Sequence, residues 1–513
     1  MGPFIMNAAC VLRDRAVYSA SALAIFATLT VGCGSQPQGA PPDEKPTAVA
    51  ELSAPAPVGT VNVSSAAEVA KIQTYLDSLY SQSDVQHTFT TKFNEVIDCI
   101  PFNSHPSVKA AAKSGIALAD EGPPVAPPLP PSMPAVDNTV AFNGQLDSSG
   151  QARACPKGTV PYRRVTLAQI QGAGGLDAYL WAQSHQQPVR HIPPASPICG
   201  STGSTASGFS WALGNASLSN LGGTVIAAVY NPGVTVNSNC GGFQQRTCEH
   251  SLSQVWATTG TCEYTGTTGP NNCTVGASGN AVQSVELGWH IDFGVEGDAN
   301  THLFSFSTQN GYDENITGGG CYNTCSFVPT SSPAYMPGQT ISGIVNPFSG
   351  NAPLEYAFQV FNPGSTQPAQ YQNWYVYVNG ALIGYYPGNI FSGAMVTHAT
   401  DFQMGGEVYS DYADGQNNND VQMGSGLSPN GNGFTQVAYQ RSVYYLNTGT
   451  GTGSICGSPF CSGGYCYNAA SLAGNTGVCG FNATTFFALS TTDAPGGSQA
   501  SCWGPYFYYG GGI

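Results

Sequence analysis

Apolar and polar residues alternate strictly over residues 284–292. Val285, Leu287, Trp289 and Ile291 fall on one face of an extended strand, and Ser284, Glu286, Gly288 and His290 on the other. The same period governs residues 401–409. There Phe402, Met404 and Val408 face inward, while Gln403, Gly405, Glu407 and Tyr409 face outward. Each strand projects a glutamate from its polar face beside a glycine, which leaves room for an approaching group. Two such strands in one sheet place two carboxylates over a shared groove. Beyond residue 200, short strands recur between Gly, Asn, Ser and Pro turns. They include 223–230, 251–256, and the pair 374–378 and 381–386 around Asn379-Gly380, a favoured hairpin turn. Strands spaced in this way predict an all-β fold, a β-sandwich of two large antiparallel sheets over residues 200–513.

The first part of the chain reads differently. Arg13 and Arg15 precede an apolar run that ends at Gly32-Cys33, the pattern of an export signal over residues 1–33. Gly-Cys at its end is similar to a bacterial lipoprotein processing site, with Cys33 as the lipidated residue. Residues 34–63, rich in Pro, Ala and Gly, read as a flexible tether. Residues 64–199 form a small mixed α/β domain. Ser65-Ala66-Ala67-Glu68 is a capping box opening a helix whose apolar face is Val69, Ile72, Leu76 and Leu79. Within this domain the proline-dense spacer 122–135 is expected to be extended and exposed.

Composition sharpens this picture. Only 8% of the 513 residues are charged, and the net charge is −15. That balance excludes a nucleic-acid partner and suits an exported protein. From residue 200 onward there are two basic residues, Arg246 and Arg441, against fifteen acidic ones. Residues 151–191 carry five bases against one acid, so the two segments are expected to pair through Lys157, Arg163 or Arg164. A domain almost without bases resists acid, since little positive charge remains to repel itself once its carboxylates protonate. Of sixteen cysteines, Cys10 leaves with the signal and Cys33 carries lipid. The even remainder suits disulfides in an oxidising compartment.

At its two glutamates the sequence resembles the neprosin family of glutamic peptidases. The resemblance rests on Glu286-Leu287-Gly288-Trp289, Gly297-Asp298, the aromatic strand at 303–312, and Gly320-Cys321-Tyr322-Asn323. It continues through 383–387, Gly405-Gly406-Glu407 and Gly424-Ser425-Gly426, all in the family's order. Upstream, the segments at 96–106 and 155–164 resemble the family's activation peptide. The resemblance implies a two-sheet fold, Glu286 and Glu407 as the catalytic pair, and cleavage after proline in a peptide or protein substrate. It also implies a zymogen whose own propeptide docks on the catalytic domain, and the basic-to-acidic pairing predicts activation in acid, as carboxylates paired with Lys157, Arg163 or Arg164 protonate.

A carboxylate can deprotonate water while a protonated acid serves the leaving amine, so two glutamates suit peptide hydrolysis. Gln254, Gln309, Tyr312 and Gln403 are candidate polar partners, and Trp289, Trp374 and Tyr386 candidate walls of the substrate groove. His290, His302 and Asp298 lie close in sequence but lack ligand spacing, so no metal or other cofactor is expected. Two competitors remain. A β-sandwich glycoside hydrolase also uses two carboxylates, under an aromatic platform. A surface lectin or adhesin would only bind. The expected location is outside the cell, or at the bacterial outer membrane or cell surface through lipid on Cys33.

Overall fold

The computed structural model describes residues 65–113, 115–116, 118, 122–135, 138–184, 209–234, 249–260, 263–264, 270–271, 281–312, 320–323, 326–341, 349–409, 421–449, 454–455, 458–459, 461–472, 475–480, 486–496 and 500–512. The expected export segment with Cys33, and the tether, lie outside the described residues.

The N-terminal region is the small α/β unit that the sequence predicts. Strands β1 (His87–Thr90), β2 (Val96–Pro101) and β3 (Thr159–Arg163) form an antiparallel sheet in that order. The Cys99–Cys155 disulfide ties the two activation-peptide-like segments together. Helix α1 (Ala66–Leu79) starts at Ser65, whose side chain accepts from the Glu68 N–H at 3.2 Å. Its capping box is not closed as expected. Glu68 turns instead to the start of a later helix, accepting from the Leu176 N–H at 2.9 Å. The reciprocal box forms at Thr166 and Gln169, on α2 (Leu167–Gly172). Helix α3 (Leu176–Ser184) follows.

Two large antiparallel sheets make up the rest. The first runs β9 (Cys321–Tyr322), β8 (His302–Thr308), β7 (Gln283–Asp292), β6 (His250–Thr259), β14 (Ala399–Tyr409), β4 (Phe209–Asn220) and β18 (Thr476–Gly480). The second runs β10 (Val328–Pro329), β13 (Ala381–Tyr386), β12 (Trp374–Val378), β11 (Leu354–Phe361), β5 (Gly222–Val229), β15 (Ala438–Thr448), β17 (Tyr465–Ala469) and β16 (Cys461–Ser462). Strand β20 (Tyr506–Gly511) adds to it on β15 and is paired by β19 (Phe487–Ser490). At Asn379-Gly380 both φ angles are positive (49° and 75°), as the two-residue hairpin between β12 and β13 requires.

The main core fills the space between the sheets. Val285, Leu287 and Trp289 from β7, and Phe402, Met404 and Val408 from β14, meet Val225, Phe358 and Val376 from the second sheet. The alternation in the sequence assigned the inner faces of β7 and β14 correctly. Hydrogen bonds also cross the core: Trp289 Nε1 donates to the Ala228 carbonyl at 3.0 Å, and Gln440 Nε2 to Ser253 Oγ at 2.9 Å.

The proline-dense stretch has no regular secondary structure, bends at 124–125 and turns at 131–132, and it is not an exposed spacer. Pro127, Pro128, Pro130, Pro131 and Pro134 are buried. They lie on the outer side of the second sheet, whose aromatic side chains need cover from water. In the C-terminal segment Cys461 pairs with Cys466, and Cys479 and Cys502 are also disulfide-bonded.

Candidate active site

Strand β6 is the centre of the site. Its register sets Gln254 opposite Gly288 on β7 and opposite Gly405 on β14. One step along the same face, Trp256 lies opposite Glu286; one step the other way, Leu252 lies opposite Glu407. Gln254 is therefore the diagonal neighbour of both glutamates, and such neighbours are roughly 7–8 Å apart. The glutamates themselves are two strands apart and four residues out of step, or about 10 Å across the sheet and about 13 Å along it. The flanking glycines leave only backbone beside Gln254. A Cβ at Gly288 would overlap the Ser253 carbonyl, and one at Gly405 the Ala212 carbonyl.

Each glutamate is held by donors on the side away from Gln254. Ser284 Oγ and the Tyr312 hydroxyl both donate to Glu286 Oε1, each at 2.7 Å. The Tyr312 ring stacks on Phe306, which lies opposite Glu286 on β8. Trp211 Nε1, on β4, donates to Glu407 Oε2 at 2.9 Å, and His250 Nε2 lies 3.3 Å from Glu407 Oε1. Glu286, Gln254 and Glu407 are all 0% exposed. Among the described residues, neither amide atom of Gln254 has a hydrogen-bond partner. A buried, unpartnered side-chain amide is costly, and native structures tolerate few.

Of the residues read from the sequence, the structure gathers Glu286, Glu407, Gln254, Tyr312 and Gln403 on one face. Gln403 lies opposite Trp256, with its Oε1 buried and without a hydrogen-bond partner among the described residues. Gln309 sits past the end of β8 and donates to Ser307 Oγ, not to either glutamate. Trp289, Trp374 and Tyr386 require correction as groove walls. All three belong to the inter-sheet core, where Trp374 Nε1 donates to the Met395 carbonyl and the Tyr386 hydroxyl meets Ser305 Oγ at 2.8 Å. Their strand parity puts them there: Trp289 shares the face of Val285 and Leu287, and Trp374 that of Val376. Trp211 and His250 were missed. His250 has the parity of Gln254, and extending the β6 alternation back two residues from Leu252 reveals it.

A second cluster borders this face. His290, on the face of Glu286, places Nε2 2.9 Å from Glu296 Oε1, and Asn323 Nδ2 donates to the same oxygen at 2.8 Å. Arg163 of the N-terminal region donates to Glu296 Oε2 at 2.6 Å, to the Glu296 carbonyl at 2.8 Å, and to the Gly338 carbonyl. His302 Nε2 lies 2.9 Å from Asp298 Oδ1. Burial alone would raise the Glu296 carboxyl, but His302, Arg163 and the His290 hydrogen bond outweigh it and hold it well below the usual carboxylate range. Burial would likewise lower His302, yet Glu296 and Asp298 carry it above its ordinary value. Among the described residues, no group of three or more His, Cys, Asp or Glu could hold a metal ion.

Only part of the expected pairing across the two regions occurs. Arg163 reaches the acidic domain. Arg164 instead makes a bidentate pair with Asp98 inside the N-terminal region, at 2.7 and 2.6 Å, and Lys157 is exposed. Helix α3 completes the cover. Ala182 packs with Leu252, Phe304, Phe306 and Tyr322 on the carboxylate face, and Gln183 Nε2 donates to the Val295 carbonyl at 2.6 Å.

Fold and site define a two-sheet protein with a pair of buried glutamates on one sheet face, overlaid by a preceding α/β region. The family model for neprosin matches residues 247–512, just over half of the chain. The chain belongs to the neprosin family, which is associated with peptidase activity.

Proposed function

We infer that the protein is a glutamic endopeptidase, made as a zymogen and directed at proline-containing peptides. The observation that carries this reading is the diagonal Glu286–Gln254–Glu407 on one sheet face. A peptide bond laid over Gln254 has a carboxylate on either side. One glutamate, ionised, takes a proton from water, whose oxygen attacks the carbonyl carbon. The Gln254 amide donates to the oxygen on which negative charge develops. The other glutamate, protonated, passes its proton to the nitrogen as the C–N bond breaks. With so wide a separation, direct like-charge repulsion is not what sets their protonation. Their separate donors, hydroxyls at Glu286 and the indole and imidazole at Glu407, make the two environments unequal.

Cleavage after proline follows from the family resemblance. The zymogen reading is supported by helix α3 and Arg163, which hold the N-terminal region against a fully buried carboxylate face. A substrate reaches that face only after the cover leaves. The glycoside hydrolase reading cannot use Trp289 and Trp374 as its platform, because both are core residues; the tryptophans of the carboxylate face are Trp211 and Trp256.

Incubating the purified chain with casein or a gliadin digest between about pH 3 and pH 7 tests this reading across the carboxylate range. New peptides ending in proline are expected, insensitive to serine, cysteine and metallopeptidase inhibitors. No hydrolysis at any pH, after removal of residues preceding about 200, would overturn it.

A further inference from the structure

The outer face of the second sheet is unusual for a surface. Tyr375, Tyr377, Tyr385, Tyr444, Tyr465 and Tyr467 form one buried aromatic cluster there, on the side away from the glutamates. Val125 and Leu382 pack against it. Val108, from the helix Pro106–Lys113, covers part of it with Phe102 and Leu118 beside it, and the rest of the cover is the proline-dense stretch 122–134, which has no regular hydrogen-bonded structure of its own. A Cβ on Gly122 would meet Leu382, one on Gly380 would meet Leu129 and Met133, and one on Gly463 would meet Val125. The stretch therefore touches both the β12–β13 hairpin and the β16–β17 turn.

Between residues 126 and 131 its burial has a period of three: Pro127, Pro128, Pro130 and Pro131 are buried, while Ala126 and Leu129 face solvent. The run ends at Ser132, which is buried and has a φ of 51°. Three residues per turn is the repeat of polyproline II, which has no internal hydrogen bonds and leaves every carbonyl free for a partner. The sheet supplies the partners. The Tyr467 hydroxyl donates to the Pro128 carbonyl at 3.0 Å, and Arg441 Nη1 to the carbonyl and Oγ of Ser132 at 3.2 and 2.8 Å. Arg441 is itself fixed by Glu355 through Nε and Nη2, at 2.6 and 2.7 Å. Aromatic rings between which proline rings seat, with hydroxyl donors to the carbonyls, are the chemistry by which proteins recognise proline-rich peptides.

We propose that this tyrosine face is a polyproline-binding site, filled in cis by residues 122–134 and open to proline-rich peptides in trans once that segment leaves. Its opening during maturation rests on the zymogen reading; the binding site does not. On the mature protein it is an exosite that holds proline-rich substrate on the sheet opposite the glutamates.

The test uses the full chain carrying Glu407→Gln, so that no probe is cleaved, with Pro127, Pro128, Pro130 and Pro131 all changed to Ser. The probes are a labelled peptide of the native 122–135 sequence, an unrelated peptide of alternating Pro-Pro-Leu, and each with alanine for proline. Both proline peptides are expected to bind at least about tenfold tighter than to the chain with its native prolines, because a tethered occupant competes at roughly millimolar effective concentration. Tyr467→Ala in the same background is expected to remove that binding, and Gln254→Ala to leave it. Binding that ignores the prolines, or that Gln254→Ala abolishes and Tyr467→Ala does not, would overturn the proposal. Should the quadruple variant misfold, titration of the labelled Pro-Pro-Leu peptide against the chain with native prolines decides, at concentrations up to the roughly millimolar effective concentration of the tether. Weak binding that Tyr467→Ala changes and the alanine peptide does not show is expected; no difference between the proline and alanine peptides counts against the site.

Discussion

Glu286 and Glu407 share one face of a sheet, two strands and four residues out of step, and Gln254 falls on the diagonal between them. No local stretch of chain creates this relation, since it needs β6 to lie between β7 and β14. Glu286→Gln and Glu407→Gln each keep the side-chain volume and remove a titratable proton. Each is expected to lower kcat by about 10²–10⁴, the usual contribution of general acid–base catalysis, with the fold retained. The check is kcat beside the circular dichroism spectrum. Activity within a few-fold of the parent in either variant contradicts the two-carboxylate mechanism.

Gln254 offers a sharper test because its two roles pull in opposite directions. Both of its amide atoms are buried without partners among the described residues, which destabilises the folded chain. Gln254→Met keeps the volume and removes that penalty, so stability is expected to rise by about 1–3 kcal/mol. The same change removes the donor to the developing oxyanion, and kcat is expected to fall by about 10²–10³ with KM nearly constant. Thermal melting and steady-state kinetics on one preparation measure both. A variant that is more stable and fully active would leave Gln254 out of the chemistry.

Strand period carried much of this site in the sequence. The faces of β7 and β14 and the Asn379-Gly380 turn were legible because a half-buried strand must alternate and a tight hairpin needs positive φ. Of the donors to Glu407, His250 could have been placed on this face by the parity of β6, but Trp211 could not, because only the folded sheet sets β4 beside β14. The proline stretch was misread as exposed for a related reason. A polyproline segment has no internal hydrogen bonds to betray its surroundings, so its burial depends on a tyrosine face assembled from distant strands. Trp289 was an avoidable error, since its own parity points to the core.

That correction makes a prediction. Trp289→Phe removes the donor to the buried Ala228 carbonyl and leaves a small void between the sheets. Stability is expected to fall by about 1–3 kcal/mol for the stranded acceptor, and further for the void. Because the side chain faces away from Gln254, kcat and KM of the folded fraction should stay as they were. A raised KM without a change in melting temperature would restore Trp289 to the groove.

The Arg163–Glu296 pair sets the pH dependence of the cover, and its sign can be worked out. Arg163 is raised further by Glu296, Glu95 and Asp298, against the pull of burial, and stays charged. Glu296 is depressed by its cationic neighbours, so its contribution is full above the ordinary carboxylate value and fades as pH falls through the depressed one. His302 is raised against burial by Glu296 and Asp298 of its own domain and lowered by Arg163, so its contribution, full below its ordinary value of 6.5 and fading as pH climbs through the raised one, steadies that domain and not the cover. The cover is therefore held fully above the carboxylate range. Mild acid does not break this pair; only pH well below about 4 does. Activation at milder acidity has to draw on other groups. Arg163→Gln leaves Glu296 buried with one cation fewer, and breaking such a pair typically costs about 3–5 kcal/mol. The N-terminal region is expected to become protease-sensitive at neutral pH in this variant. Arg164→Gln, whose partner Asp98 lies in the same region, should disturb that region's own fold without the same loosening from Glu296. Limited proteolysis of the parent and both variants from about pH 2 to pH 7, in a Glu407→Gln background, measures this across the carboxylate range. Equal resistance of parent and Arg163→Gln across that range would show that this arginine does not hold the cover.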